Sequence, residues 1–287
     1  MKFLSNLFPV LFLSVILFST CRKEEVHQII QEPRTILDTS YGGDVAQKAD
    51  IYLPAGRSSG TTRVLLIIHG GGWFGGDKKD MQRFVPAFQA QLKNYAIVNM
   101  NYRLVTFVPV RYMLPTQTDD IRAVMDFVKN NAAAFGVKPE FAVLGLSAGG
   151  HLAMLYSYKY DSERRVKGVV NIVGPSDLSD NFYQNNTIYR IGMGYITHPD
   201  NLPSGMVANV FGSPANWISS ASQPTISFYG TNDGYIPESQ HTILETTLNR
   251  FNVYNEKHIY NGGHEVGFGN IDDIVSKTAA FLRARVK

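Results

Sequence analysis

The chain has 287 residues, 44% of them hydrophobic and 18% charged, a length sufficient for one large α/β domain or two small ones. Its 27 Lys and Arg against 24 Asp and Glu leave a formal charge of only +3, with no dense basic block, which disfavours nucleic acid as a partner. The single cysteine excludes an intramolecular disulfide framework and any metal site built from several cysteines.

The first 20 residues have the pattern of a bacterial secretory signal. A basic residue precedes an apolar run, residues 7–18, that is too short to span a hydrocarbon core of about 30 Å. The run ends at Phe18-Ser19-Thr20-Cys21, which resembles a relaxed lipobox. This resemblance predicts cleavage before Cys21 and lipidation of that cysteine. Ordinary cleavage beside an incidental cysteine is the alternative.

We therefore expect a signal peptide at residues 1–20 and a polar tether at residues 21–35. The expected location follows from the signal: secretion across the inner membrane of a bacterium, with an N-terminal lipid anchor at the outer membrane or the cell surface. Residues 36–287 are predicted to form one domain.

Beyond the tether, apolar runs bounded by turn residues predict strands at 64–68, 96–100, 141–144, 169–173, 225–229 and, as a weaker case, 256–260. Between these runs, helical spacing of apolar residues predicts helices over 80–93, 118–128, 148–158, 238–251 and 271–285. Strands that alternate with helices predict an α/β domain with a mostly parallel central sheet and helices on both faces.

Residues 180–220 interrupt this alternation. The segment is rich in Asn, Tyr, Gly and Pro and is long for a connection, so it is either a cap over a site or a flexible insertion. Because it lies between elements that carry reactive side chains, we predict a short cap.

A candidate nucleophile follows the third predicted strand, in Gly145-Leu146-Ser147-Ala148-Gly149. A serine on a tight turn from strand to helix has an exposed hydroxyl, and the flanking glycines allow close approach of neighbouring backbone. A packed turn without chemistry is the alternative. We predict that Ser147 is a nucleophile.

A glycine-rich loop, His69-Gly70-Gly71-Gly72-Trp73, directly follows the first predicted strand. Successive glycines let several N–H groups point at one spot, which suits a developing oxyanion. A phosphate-binding loop is the alternative, but no G-K-[ST] follows the Gly-rich segments. His69 is expected to orient this loop and not to carry protons.

A serine nucleophile needs a base, and the base needs a carboxylate that orients it. Asp233 and His264 each follow a predicted strand and supply these groups. Asp177 also follows a strand and is a rival acid, whereas His241 and His258 fit structural or surface positions. The histidines form no ligand cluster and no H-E-x-x-H motif, so no metal and no other cofactor is expected.

Several motifs together resemble the carboxylesterase and hormone-sensitive-lipase-like branch of the α/β hydrolases, over about residues 36–285. Within that branch the chain is similar to small bacterial acetyl-xylan and feruloyl esterases. The motifs that carry the resemblance, in chain order, are Tyr41-Gly42-Gly43-Asp44, Asp50 to Pro54, His69 to Trp73, Asn101-Tyr102-Arg103, Asp119-Asp120 and Gly145 to His151. The order of serine, acid and histidine is also that of the α/β hydrolases.

The resemblance implies the α/β-hydrolase fold and a triad of Ser147, Asp233 and His264. It also implies an oxyanion hole made by the N–H groups of Gly71, Gly72 and Ala148. The implied activity is that of a serine esterase, acting on small-molecule or polysaccharide esters, with acetyl groups expected first and feruloyl groups second. Of the aromatic residues near the motifs, Trp73 is the predicted substrate contact, and the others considered are Phe74, Tyr102 and Trp217.

Two features depart from the family pattern: His264 is followed by Glu265-Val266, and the 180–220 insertion matches no pattern. Two alternative functions therefore stay open. A kynurenine-formamidase-like amidohydrolase or a peptidase would use the same triad. A non-catalytic lipoprotein with a hydrolase fold would bind its ligand without turnover.

Overall fold

The computed structural model describes residues 28–194 and 196–286. The predicted signal peptide, Cys21 and most of the predicted tether lie outside the described residues. Near the start of the described residues, Ile30 pairs with Arg57 through a backbone hydrogen bond of 2.8 Å. The Arg57 guanidinium donates to the carbonyl of Glu32. These contacts, and a first strand that begins at Arg34, extend the domain upstream of the predicted boundary at residue 36.

Among the described residues, eight strands form one sheet in the order β1-β2-β4-β3-β7-β8-β9-β10, and two short strands form a separate hairpin. The strands of the main sheet are β1 (Arg34–Ser40), β2 (Lys48–Leu53), β3 (Arg63–Ile68), β4 (Tyr95–Met100), β7 (Phe141–Leu146), β8 (Val166–Ile172), β9 (Thr225–Gly230) and β10 (Asn255–Tyr260). The hairpin consists of β5 (Thr106–Phe107) and β6 (Val110–Arg111). Strands β4, β3 and β7 to β10 are parallel, whereas β2 is antiparallel to both of its neighbours.

The predicted strands are all present, and the helices pack on both sides of the sheet. They are α1 (Val85–Gln91), α2 (Thr116–Asn130), α3 (Ala132–Phe135), α4 (Ala148–Leu155), α5 (Asn181–Gln184), α6 (Thr187–Gly194), α7 (Ala208–Gly212), α8 (Glu238–Arg250), α9 (Val266–Gly269) and α10 (Ile271–Arg285). Helices α2, α4 and α8 pack on one face with Val64 and Leu66 of β3, and α1 and α10 pack on the other face with Leu65 and Ile67. Successive residues of a strand point to opposite faces, so one apolar run supplies both cores.

Two helices differ from their predicted form. The single helix predicted over residues 80–93 is a 3₁₀ helix, Lys78–Phe84, followed by α1. Pro86 stands in the first turn of α1, where its missing N–H costs nothing, and the chain restarts as an α-helix there. The helix predicted over 148–158 is α4 continued by one π-helical turn, Tyr156–Tyr160.

The interruption predicted at residues 180–220 lies between β8 and β9 and folds into short helices. We call this segment the cap. It contains α5, α6 and α7 together with the 3₁₀ turns Pro199–Asn201 and Pro214–Trp217. Tyr183 of α5 and Tyr189 of α6 donate hydrogen bonds to the carbonyls of Tyr235 and Gly234, at 3.0 and 3.3 Å. The cap therefore covers the loop that follows β9.

Candidate active site

Ser147 stands between β7 and α4 in a left-handed backbone conformation, with φ of 54° and ψ of −120°. Its N–H donates to the carbonyl of Ile172 at the end of β8, at 2.7 Å. A Cβ on Gly145 would lie 2.0 Å from the carbonyl oxygen of Gly149, and a Cβ on Gly149 would lie 2.3 Å from that of Ile68. Both glycines of the motif are thus required by close backbone approach, and the turn presents the serine hydroxyl at the sheet edge.

The structure brings Ser147, His264 and Asp233 together, although the serine and the histidine are 117 positions apart. Ser147 Oγ lies 2.9 Å from His264 Nε2, and His264 Nδ1 lies 2.8 Å from Asp233 Oδ2. The three residues follow β7, β9 and β10, and parallel strands place their carboxyl ends on one edge of the sheet. With Nδ1–H donated to the carboxylate, Nε2 is left as an acceptor for the serine hydroxyl, so this arrangement can deprotonate Ser147.

The glycine-rich loop after β3 faces the same point. Gly71 has φ of +106° and Gly72 has φ of +62°, and a Cβ on Gly71 would lie 2.2 Å from the carbonyl oxygen of Gly75. Neither glycine donates its N–H in the backbone hydrogen bonds of the described residues, and Ala148, the first residue of α4, has no intrahelical acceptor. All three predicted oxyanion residues line one cavity with Ser147, which is the placement that binding of a developing negative charge requires.

His69 contacts its own loop, as expected for an orienting residue. Its Nδ1 lies 2.7 Å from the carbonyl oxygen of Gly70, and its ring stacks on that of Tyr102 with centroids 4.3 Å apart. Burial lowers the pKa of His69, which keeps the ring neutral. Tyr102 is buried beneath this ring and cannot stack on a substrate.

Trp73, the predicted substrate contact, lines the cavity but is only 8% exposed. Its indole Nε1 donates to Nδ1 of His151 at 3.1 Å, so its polar atom is already used. Trp217, in contrast, is not among the residues that line this cavity, and its Nε1 donates to the carbonyl of Phe211 at 2.9 Å. The aromatic surface open to a ligand belongs to Phe74 and to Tyr235, which are 60% and 59% exposed.

The cavity has a volume of about 480 Å³. Apart from the residues already discussed, it is lined by five apolar or aromatic side chains: Leu146, Pro175, Tyr183, Ile236 and Phe268. The sequence pattern did not single out this set. The only signal for Tyr183 was its position in the 180–220 segment, and the signals for Ile236 and Phe268 were their positions within four residues of Asp233 and His264.

The rival side chains have other partners. Asp177 Oδ1 accepts hydrogen bonds from the N–H of Ser179 at 2.8 Å and from Ser213 Oγ at 3.0 Å, which ties the residues just before the cap to Ser213 within it. His258 stacks on Phe228, with centroids 5.3 Å apart, and His241 lies on α8. None of the three reaches Ser147.

Residues 28–194 and 196–286 contain neither a metal-binding cluster nor a membrane-spanning helix. No group of three or more His, Cys, Asp and Glu side chains there could hold a metal ion. No helix in these ranges is long and apolar enough to cross a membrane.

Comparison with known proteins gives consistent matches. The family model described as BD-FAE matches residues 49–248. The probable carboxylic ester hydrolase LipM of Mycobacterium tuberculosis is 27% identical over 223 residues, which are 71% of this chain and 49% of that protein. Arylacetamide deacetylase of Bos taurus is 26% identical over 179 residues, 55% of this chain and 44% of that protein. The chain thus spans about half the length of the curated relatives it matches.

Among solved structures, a truncated form of a carbohydrate esterase from gut microbiota superposes with a TM-score of 0.74. Its sequence is 18% identical, and the match covers 88% of this chain and 96% of that one. The likeness, together with the strand order, confirms the predicted α/β-hydrolase fold. The resemblance to carboxylesterases that the motifs indicated agrees with the curated relatives.

Proposed function

Since the chain belongs to the BD-FAE family, we propose that it hydrolyses carboxylic esters through an acyl-enzyme formed on Ser147. The observation that carries this proposal is the continuous path from Asp233 Oδ2 through His264 to Ser147 Oγ, with contacts of 2.8 and 2.9 Å. Similarity to LipM, a probable carboxylic ester hydrolase, supports the same reaction class.

The proposed mechanism has two half-reactions, which use the same groups. Ser147 Oγ attacks the ester carbonyl as its proton passes to Nε2 of His264, and the carbonyl oxygen becomes an oxyanion held by the three free N–H groups of the loop and α4. The C–O bond of the ester then breaks, and His264 returns the proton to the leaving alcohol. Water attacks the acyl-enzyme by the same route and releases the acid. Asp233 stays ionised and keeps the imidazole oriented.

For the substrate, we propose short-chain or carbohydrate-linked esters, acetyl first and feruloyl second. The shared fold of a gut carbohydrate esterase supports a carbohydrate on the alcohol side. The exposed rings of Phe74 and Tyr235 at the cavity offer apolar faces on which a sugar or phenolic ring can stack. Amide hydrolysis is the second candidate, because arylacetamide deacetylase is also a relative.

The test compares the purified chain with its Ser147→Ala variant on p-nitrophenyl acetate, butyrate and octanoate, acetylated xylan, methyl ferulate and N-formylkynurenine. We expect turnover that depends on Ser147, declines as the acyl chain lengthens, and releases acetate from xylan. The matched control is Ser162→Ala, an exposed serine that should leave turnover unchanged. Preference for the formamide would move the assignment to amide hydrolysis. Absence of Ser147-dependent turnover on every substrate would contradict the esterase proposal and favour a binding protein.

We also propose that Cys21 carries a lipid that holds the domain at the outer membrane or cell surface. Ile30 lies nine positions after Cys21, and an extended chain of that length reaches at most about 30 Å. The anchored domain would therefore work close to the membrane. Replacing Cys21 with Ser should move the activity from the membrane fraction to the soluble fraction, whereas an unchanged distribution would contradict the anchor.

A further inference from the structure

His151 is a buried histidine of α4, four residues after Ser147, for which the proposed reaction has no use. Both of its ring nitrogens are hydrogen-bonded. Nδ1 lies 3.1 Å from the indole Nε1 of Trp73, and Nε2 lies 2.7 Å from the carbonyl oxygen of Gly212.

These two partners fix the protonation of the ring. An indole N–H can only donate, so Nδ1 must accept; a carbonyl oxygen can only accept, so Nε2 must carry the proton. Protonation of Nδ1 would set two N–H donors against each other inside the protein. Burial also lowers the pKa of His151 to about 4, so the neutral Nε2–H form persists at neutral pH.

The two partners belong to different functional segments. Trp73 directly follows the oxyanion glycines and has φ of +71°, and its carbonyl accepts a hydrogen bond of 2.9 Å from Val105. Gly212 is the last residue of α7, a helix of the cap. The side chain of His151 therefore connects helix α4 to two segments. It binds the carbonyl of Gly212 in the cap and the indole of Trp73 beside the oxyanion glycines.

We propose that His151 is a positioning residue, which holds the loop of Gly71 and Gly72 in register with Ser147 through Trp73 and couples that register to the cap through Gly212. This inference rests on the proposed function, because it assigns the loop to oxyanion binding. The shared helix gives the physical reason: His151 and Ser147 lie one turn apart on a rigid element, and the N–H of His151 donates to the carbonyl of Ser147 at 3.0 Å.

Three variants distinguish the effect of losing the two hydrogen bonds of His151 from the effect of losing the volume of its ring. His151→Phe keeps an aromatic ring and removes both bonds. Trp73→Phe removes only the indole donor. His151→Asn keeps a side-chain oxygen near the position of Nδ1 and loses the bond to Gly212. Trp217→Phe is the matched control, because it removes an indole hydrogen bond of 2.9 Å to the carbonyl of Phe211, beside Gly212 in α7, without touching the glycine loop.

The expected result is a loss of kcat at unchanged KM. With p-nitrophenyl acetate, His151→Phe and Trp73→Phe should each lower kcat by about tenfold or more, below the 10²–10³ that removal of an oxyanion donor costs. KM should stay within about twofold, and the double variant should be no slower than the worse single variant, because both changes cut one connection. His151→Asn should recover part of the loss, and the control should match the parent chain.

A second readout does not depend on stability. Phenylboronic acid forms a tetrahedral, negatively charged adduct with an active serine, so its affinity should fall by the same factor as kcat in each variant. Thermal unfolding of each variant identifies losses due to misfolding. The inference would be overturned if properly folded His151→Phe kept kcat within twofold, if the double variant lost the product of the two single losses, or if boronate affinity did not change.

Labelling of Ser147 by a fluorophosphonate keeps this inference separate from the proposed function. If the parent chain hydrolyses no ester but its Ser147 is labelled, the proposed function fails, and slower labelling of the His151 and Trp73 variants still supports the positioning role. Ester turnover in the parent chain with equal turnover in the variants overturns only the positioning role. A parent chain that neither hydrolyses esters nor is labelled overturns both.

Discussion

Asp233 and His264 are joined by a contact of 2.8 Å between Oδ2 and Nδ1, while the second carboxylate oxygen of Asp233 binds its own loop. That oxygen accepts hydrogen bonds from the N–H groups of Tyr235 and Ile236 at 2.9 and 3.0 Å. The carboxylate is fully buried, although the histidine is 28% exposed. The backbone of its own loop thus holds the carboxylate of Asp233 in place, independently of its contact with the ring of His264.

This arrangement predicts that Asp233→Asn lowers kcat by about 10⁴-fold without unfolding the protein. An amide at this position can present its NH₂ to His264, which favours the tautomer that cannot accept the serine proton. Steady-state kinetics and circular dichroism of the variant would measure both effects. Asp177→Asn is the matched control and should keep kcat near that of the parent chain. A larger loss in the Asp177 variant would assign the catalytic acid to Asp177.

The close packing of the glycine loop predicts that one added methyl group lowers kcat. A Cβ on Gly71 would lie 2.2 Å from the carbonyl oxygen of Gly75 and would occupy a backbone conformation with φ of +106°. Gly71→Ala should therefore displace the loop and lower kcat by roughly 10²-fold or more, the effect of losing an oxyanion donor. Gly43→Ala, where a Cβ has no atom within 4 Å, should change neither kcat nor the unfolding free energy. Equal activity of both variants would exclude Gly71 from the oxyanion hole.

His151 predicts a loss of stability in mild acid. Its pKa is about 4 in the folded chain against an ordinary value of 6.5, so the unfolded chain takes up this proton first as the pH falls. The contribution of neutral His151 to the free energy of unfolding is complete above about pH 6.5 and disappears as the pH approaches 4. The loss is roughly 3 kcal/mol, at 1.36 kcal/mol per pH unit. His69, whose pKa burial also lowers, adds to the same trend.

Urea unfolding of the parent chain and of His151→Asn between about pH 7 and about pH 5 would measure this difference. The free energy of unfolding should fall more steeply with decreasing pH in the parent chain than in the variant. Parallel curves would show that His151 binds its proton equally well in the folded and unfolded states.

A buried ion pair predicts a difference in stability. Asp120 is fully buried and accepts from Arg103 at 2.6 Å, and its Oδ1 also accepts from Gln47 at 2.8 Å. Arg103→Leu would leave a buried carboxylate without its cation and should reduce the free energy of unfolding by about 3 kcal/mol. Lys129→Ala, which breaks a half-exposed pair with Glu163, should cost less than about 1 kcal/mol. Denaturant titrations would contradict this ranking if the two variants lost equal stability.

The parallel strands of the sheet and the residues around Ser147 could be predicted from the sequence alone. Strands such as β3 and β7 are continuous apolar runs, because helices cover both of their faces. Gly145 and Gly149 indicate the sharp turn at Ser147, because only close backbone approach requires glycine at both positions. Chain order then limits the acid and the base to the loops after later strands.

Other features depend on contacts between distant residues. β1 is exposed along most of its length, so no apolar run marks it, and β2 contains Asp50, whose charge is balanced by Lys78 28 positions later. Trp73 lines the cavity as a substrate contact would, but the sequence pattern does not show that its indole N–H is taken up by His151, 78 positions away. The cap has no periodicity of its own, since its short helices are held by bonds such as that of Asp177 to Ser213.

The hydroxyl groups of Tyr183 and Tyr189 restrict how a ligand can enter the cavity. They tie α5 and α6 to the carbonyls of Tyr235 and Gly234, in the same tight loop that holds the carboxylate of Asp233. Lifting this side of the cap means breaking both bonds and loosening the loop that keeps the histidine in line. Phe74, which is 60% exposed, also lines the cavity and takes part in neither of these two hydrogen bonds. A ligand that enters beside Phe74 would therefore leave the hydrogen bonds of Tyr183 and Tyr189 intact.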